Sequence, residues 1–333
     1  MKIISSFAVL AFMIFASCNT NNNVKESYKL AEKLSYSISL EEQVNALPIL
    51  SDFDSKSFTD NILSKIKENK IQAYKFSLNE KFPISFANIE EAFGAGKHKT
   101  FTIDSETGDS IEIIVEHEIR SEEIKDFIFI ENWFLNEDNL QIIKNVTGIV
   151  TVRTVFEISD STTEYKEYSP FMVYFNDTVS NKVNKNLICQ RAEYTVKLNK
   201  CDTLYTDFAK FDSKKLIDLL IEKVLNEDIK VYDYFLPEKT KLSVEDIMKS
   251  FNAGEDTIEV QDLQTGKITQ EKITTEIDKN EITELVFVEE WYYDEINFTF
   301  EKKIIAYGPV REYYRNADPE NKVKTVPFLI YFD

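Results

Sequence analysis

Glycine and proline are scarce, seven of each in 333 residues, about 4% of the chain together against a usual ~12%. That shortage excludes collagen-like, linker-like and glycine-loop architectures. Two histidines leave little material for His-based catalysis or a zinc site. No serine elbow, CxxC, HExxH or GxGxxG pattern is present. Basic residues are in deficit, 39 against 58 acidic for a net charge of −19, so the surface repels phosphate backbones and nucleic acid is not an expected partner. The longest apolar run, Ile3 to Phe15, is too short to span a bilayer comfortably.

Apolar residues make up 43% of the chain, charged residues 29% and aromatics 13%, including 25 Phe and 16 Tyr. This is globular composition, rich in side chains that favour sheets with filled faces. The apolar run follows Lys2 and ends in Phe15-Ala16-Ser17-Cys18 before the polar string Asn19 to Asn23. Small residues before a cysteine at this place resemble a bacterial lipobox. Residues 1–17 are therefore read as a lipoprotein signal peptide, Cys18 as the lipidation site, and 18–52 as a lipidated tether and N-terminal segment. Asn19 is not the aspartate of the usual inner-membrane retention signal. The expected location is the outer membrane, facing the periplasm.

The body is written twice. Phe53-Asp54-Ser55-Lys56 recurs as Phe211-Asp212-Ser213-Lys214 and Trp133 recurs as Trp291, each shifted by 158 positions. From Phe53 to Arg153 about 31 of 101 positions are identical under that shift, against roughly 6% by chance. Pro170 and Pro327 open the matching closing strands. The expectation is an α+β fold of two tandem repeated domains, 53–176 and 211–333, each with two helices packed on a mainly antiparallel sheet. Residues 177–210 are expected as a connector.

In each repeat Ser55 or Ser213 is expected to cap a helix with the apolar stripe Phe58, Ile62, Ile66 or Leu216, Leu220, Val224. A second helix begins near Ser85 or Ser243 and stops at Gly96 or Gly254, read as left-handed caps. Asp104-Ser105-Glu106-Thr107-Gly108 and Asp262 to Gly266 signal hairpin turns. The runs Phe127 to Phe134 and Leu285 to Tyr292 are apolar on both faces, which predicts central strands.

Cys189 and Cys201 in the connector are eleven-residue-spaced partners for a disulfide in an oxidising periplasm, with two buried free thiols as the alternative. The segment Gly94 to Thr100 imitates a phosphate loop, but position 91 is Glu and the segment leaves a helix instead of opening one. Asp104, Glu106 and Asp109 imitate a calcium loop, yet the second copy has Gln264 and Lys267 at two of the three places. No metal or cofactor site is expected. Glu131 and Glu289 stand two residues before the retained tryptophans, on the same face of an apolar strand, where an unpaired carboxylate is costly. Structural ion pairs Glu131–Arg153 and Glu289–Arg311 are expected; a catalytic alternative would enlist Glu118 and Glu276.

Phe287-Val288-Glu289-Glu290-Trp291-Tyr292-Tyr293-Asp294, then Ile304 to Arg311, then Pro327-Phe328-Leu329-Ile330-Tyr331-Phe332, resemble the GldN/PorN family of gliding-motility and type IX secretion proteins. The Asp-x-x-Thr-Gly turn and the opening helix that ends in an Ile-x-x-Tyr step are similar too. The resemblance spans nearly all of both repeats and is weaker in the first, where Asn132 and Thr151 replace Glu290 and Pro309. It implies a non-enzymatic periplasmic building block that joins envelope proteins, including ring lipoprotein components. A ligand- or glycan-binding lipoprotein with a pocket near Trp133 and Trp291 is the alternative.

Overall fold

The computed structural model describes residues 27–41, 47–159, 162–176, 185–198, 211–235, 239–261, 263–315 and 320–332. Cys18 and the leader before it lie outside these residues, as do Cys201 and Asp262. The first repeat runs β1 (Tyr28–Ser39), β2 (Ile49–Ser51), α1 (Ser55–Lys67), β3 (Ala73–Lys75), β4 (Phe82–Ile84), α2 (Phe86–Phe93), β5 (Gly96–Ile103) and β6 (Ser110–His117). It closes with β7 (Ile124–Leu135), β8 (Ile142–Ser159), β9 (Thr162–Tyr168) and β10 (Met172–Tyr174). The second runs β11 (Asn186–Lys197), α3 (Ser213–Leu225), α4 (Val244–Ser250), β12 (Gly254–Gln261) and β13 (Ile268–Thr275). Its last strands are β14 (Ile282–Asp294), β15 (Thr299–Tyr314), β16 (Lys322–Thr325) and β17 (Ile330–Tyr331).

The helices form where apolar spacing and capping agree. Phe58, Ile62 and Ile66 of α1 are buried, as are Leu216, Leu220 and Val224 of α3. The caps fall one residue earlier than expected. Asp54 accepts from the Ser57 amide at 2.8 Å and Asp212 from the Lys215 amide at 3.1 Å. A carboxylate both satisfies an orphan donor and carries the charge that a helix N-terminus favours, so the aspartates take the place expected of Ser55 and Ser213. The shorter helices start with capping boxes, Ser85 with Asn88 and Ser243 with Asp246. The left-handed cap of α2 is Gly94 (φ 62°), and Asn252 (φ 53°) holds the equivalent place after α4. Gly96 and Gly254, expected as caps, instead take positive φ at the entry to β5 and β12.

Every named ladder is antiparallel. In the first repeat β7 lies between β1 and β8, and in the second β14 lies between β11 and β15, which explains why both strands are apolar on each face. The repeats do not keep separate sheets. β8 and β15 meet at Lys144 and Lys302, and β2 crosses over to pair with β11, which fuses both halves into one 13-stranded sheet. Lys144 and Lys302 are equivalent under the 158-residue shift, so a local pseudo-two-fold axis passes between them.

The segment expected as a connector holds β11, the counterpart of β1. Ala31 lies opposite Trp133 as Cys189 does opposite Trp291, and Leu34 lies opposite Glu131 as Ala192 does opposite Glu289. The repeat thus begins at residue 28 and not at 53. One hydrophobic core runs through both halves, taking in Phe58, Phe129 and Trp133 together with Leu216, Phe287 and Trp291. Two smaller clusters cover the opposite faces of the central strands, Ile128, Ile130 and Met172 in one half and Val286, Val288 and Leu329 in the other.

Asp126, at the edge of β7, is partly buried between the charges of Glu167 and Glu41. Burial first, and those carboxylates second, push it up to about 6. A raised carboxyl contributes stability below its unfolded value, near 4, and loses it as pH rises through about 6. At neutral pH the ionised Asp126 is therefore a net cost. Asp126→Asn is expected to stabilise the chain by roughly 1 kcal/mol at pH 7, discounted for its partial exposure, and by nothing at pH 4. Urea midpoints at the two pH values check this.

Candidate functional site

Glu131 and Glu289 sit two residues before Trp133 and Trp291, so each carboxylate shares a strand face with its indole. The ladders break step at these points, between Ile130 and Glu131 and between Val288 and Glu289. The ladders on the other side are also irregular at this level, from Ala31 to Leu34 and from Cys189 to Ala192. Such bulges re-aim a side chain. Here they deliver both carboxylates to the junction of the halves.

The bonding at that junction is two-fold. Trp133 Nε1 donates to Glu131 Oε2 at 2.6 Å, and Trp291 Nε1 to Glu289 Oε2 at 2.9 Å. The Tyr36 hydroxyl donates to Glu131 Oε2 at 2.8 Å and the Tyr194 hydroxyl to Glu289 Oε2 at 2.7 Å, with the two hydroxyls 3.1 Å apart. The cations cross over. Lys302 of the second half stands 2.9 Å from Glu131 Oε1, and Lys144 of the first stands 2.7 Å from Glu289 Oε1. Lys144 also donates to Tyr194, and Lys302 to Tyr36, both at 3.1 Å. Each ammonium lies 3.2 Å from the centroid of a ring, Phe287 for Lys144 and Phe129 for Lys302.

All eight polar members are buried, the two glutamates and two tryptophans completely. Two carboxylates and two ammonium groups balance to zero charge. Burial alone would raise the Glu289 carboxyl, but Lys144 and Lys302 overcome it and hold the group below its ordinary value. Burial pulls Lys144 down to about 8 against the opposing fields of Glu289 and Glu131. It lowers Lys302 too, and together with the nearby carboxylates it lifts both tyrosines well above their usual range. The cluster is sealed and its charges are paired, although Glu131 Oε1 and Glu289 Oε1 meet the ammonium groups as ion pairs outside hydrogen-bond geometry. Such an arrangement fixes how two bodies dock, because any other register would strand a charge in the core.

The arginines stand elsewhere, contrary to the expected Glu131–Arg153 and Glu289–Arg311 pairs. Arg153 lies opposite Ile124 whereas Glu131 lies opposite Val146, which is seven residues or about 23 Å along β7. Arg153 binds Glu123 and donates to the Ala92 carbonyl at 2.8 Å. Arg311 binds Glu281 at 2.6 Å and donates to the Ser250 carbonyl at 2.5 Å. These retained arginines tie each short helix to its own sheet. Pro170 and Pro327 are buried ahead of the fully buried Phe171 and Phe328.

Neither indole lines an open pocket. A groove of ≈ 280 Å³ borders Asp54, Asn61 and Tyr293, and one of ≈ 700 Å³ borders Tyr28, Glu137 and Glu222. Glu118 and Glu276 are exposed while Glu131 and Glu289 are fully buried, so no pair of them shares a cleft. Cys189 is a buried free thiol that burial pushes up to about 12; its expected partner Cys201 is outside the described residues.

Sequence reasoning missed four of the eight polar members. Lys144 and Lys302 are identical under the repeat shift, as Tyr36 and Tyr194 are, and that retention was the available signal. A search of curated proteins gives no match. The model of a family described as gliding motility associated protein GldN matches the chain twice, over residues 27–202 and 194–333. With both matches together spanning nearly all of the described chain, the protein belongs to the GldN family.

Proposed function

We propose that this protein is a non-enzymatic structural or assembly component of the cell envelope, associated with gliding motility or type IX secretion, anchored by lipid at Cys18 and facing the periplasm from the outer membrane. The observation that carries the reading is the fate of the retained polar residues. Glu131, Glu289, Lys144 and Lys302 are consumed in crosswise pairs that fasten the two repeats together, and none is presented to a substrate. Membership of the GldN family supports the association with motility. Spending retained charge on rigidity suits a building block that must hold other proteins in fixed positions.

Native-envelope crosslinking followed by membrane extraction tests this reading. The wild-type chain is expected in the outer-membrane fraction together with other envelope proteins, and the Cys18→Ala chain in the soluble periplasm. Recovery of the wild type alone would refute the assembly role; a Cys18→Ala chain still bound to membrane would refute the anchor.

A further inference from the structure

Equivalent places in the two repeats can be compared directly, and beside the first long helix of each they differ. In the second half the space at the N-terminus of α3 is closed by two side chains. The Tyr28 hydroxyl donates to Asp212 Oδ2 at 2.7 Å, and the Lys215 ammonium lies 3.5 Å from the centre of the Tyr28 ring and 2.5 Å from Glu137. The ≈ 700 Å³ groove on this side borders Tyr28 from outside, and neither Phe211 nor Leu216 is among its lining residues.

In the first half both closing side chains are missing. The 158-residue shift sets Asn186 where Tyr28 stands and Ser57 where Lys215 stands. Asn186 lies opposite Tyr293 as Tyr28 lies opposite Leu135, so the strand keeps its course while the ring is lost. The ≈ 280 Å³ groove here reaches in to Phe53 and Phe58, the counterparts of Phe211 and Leu216. The acids have stayed: Asp54 answers Asp212, and Glu295 answers Glu137. Asp54 is exposed where Asp212 is half-buried, and among the described residues its carboxylate accepts only from the Ser57 amide of its own helix. Glu295 keeps a bond from Asn61 at 2.6 Å and a long contact to Lys65 at 3.5 Å. At the mouth Leu187 replaces Lys29 and is 49% exposed. One half supplies its own phenol and ammonium; the other retains their acceptors and lacks both.

We propose that this groove docks a peptide segment of another envelope protein through a tyrosine and a lysine, the two side chains that close its counterpart. Its volume lies at the low end of the ~300–1,000 Å³ typical of ligand pockets, which suits inserted side chains better than a whole cofactor. The incoming ring packs against Phe53 and Phe58 and its hydroxyl donates to Asp54, while the ammonium covers the ring and pairs with Glu295. With Lys215 and Lys29 replaced by Ser57 and Leu187 and both acids kept, the mouth favours a basic segment and rejects an acidic one. The docking site rests on the assembly role, but binding of a synthetic peptide is read separately from crosslinking in the envelope, so either can fail alone.

The test is ligand-observed NMR with the purified full-length chain in detergent, reading saturation transferred to the aromatic ring of the peptide Ac-Tyr-Gly-Lys-NH2. Alternate residues set both side chains on one face of an extended segment. Transfer is expected with the wild type, and exchanging Tyr for Phe or Lys for Gln in the peptide is expected to weaken binding about fivefold. D54N/E295Q is expected to weaken it at least as much; asparagine caps a helix as well as aspartate does, so α1 stays intact. N186Y/S57K, which installs the closing side chains of the second half, is expected to abolish transfer without lowering the melting temperature. Absence of transfer to the wild type overturns the proposal. So does transfer undiminished in both variants, which would mean binding to detergent or to another surface, or transfer indifferent to either change in the peptide.

Discussion

Glu131→Ala is expected to lower the stability of the folded chain by about 3–5 kcal/mol, the cost of leaving one member of a buried ion pair uncompensated. The substitution removes the acceptor of Trp133 and Tyr36 and strands the Lys302 ammonium in the core. Glu289→Ala should cost a similar amount through Trp291, Tyr194 and Lys144. Replacing both partners, Glu131→Leu with Lys302→Met, should recover much of that loss, since two apolar groups avoid the desolvation that one orphaned charge suffers. Urea unfolding of the single and double variants gives these values directly. A loss below about 1 kcal/mol for Glu131→Ala would place the pair in the class of weak surface contacts and contradict its burial.

Trp291→Ala is the second large expected effect, also about 3–5 kcal/mol, through lost burial and the cavity left behind. The indole is fully buried, and its ring neighbours belong to both halves: Phe53 at 5.4 Å and Phe129 at 5.2 Å from the first repeat, Phe300 at 5.8 Å from the second. The matching contacts of Trp133 are with Phe211 at 5.5 Å and Phe287 at 5.3 Å, both in the second half. Truncating either indole therefore opens a void between the repeats and not within one of them. A fall in melting temperature on the order of 10 °C is expected by calorimetry.

Local features were legible from the sequence because they obey short-range rules. The stripe of α1 follows the helical period, and Asp104 accepts from the Glu106 and Thr107 amides at 2.7 and 3.1 Å in the turn expected there. The apolar runs around Phe129 and Phe287 are the central strands their two-faced pattern implied. What escaped depends on register and on distance along the chain. β11 was hidden because Tyr194 is the one residue of its twelve identical to β1 under the repeat shift, the rest of the likeness lying in similar exchanges such as Leu30 with Ile188, Ala31 with Cys189 and Ile38 with Val196. Glu131 was assigned to Arg153 because both are retained and lie on neighbouring strands; only the ladder register shows them at opposite ends. Lys302 is 171 positions from Glu131, and a lysine is the residue least expected at zero exposure. The separate sheets expected for the repeats became one because β8 and β15 meet at the pseudo-two-fold axis.

The central claim is that the two repeats unfold as one body, clasped by the crosswise pairs. The chain has two tryptophans, one in each half, so Trp133→Phe and Trp291→Phe each leave a single fluorescent reporter in one repeat. Urea unfolding of these two chains, with and without Glu131→Ala, measures the coupling directly. The account predicts that the fluorescence transition coincides with the loss of circular dichroism in each chain, and that Glu131→Ala shifts the midpoint seen by Trp291 as much as that seen by Trp133. Two separated transitions, or a Trp291 midpoint that ignores the change at Glu131, would contradict it.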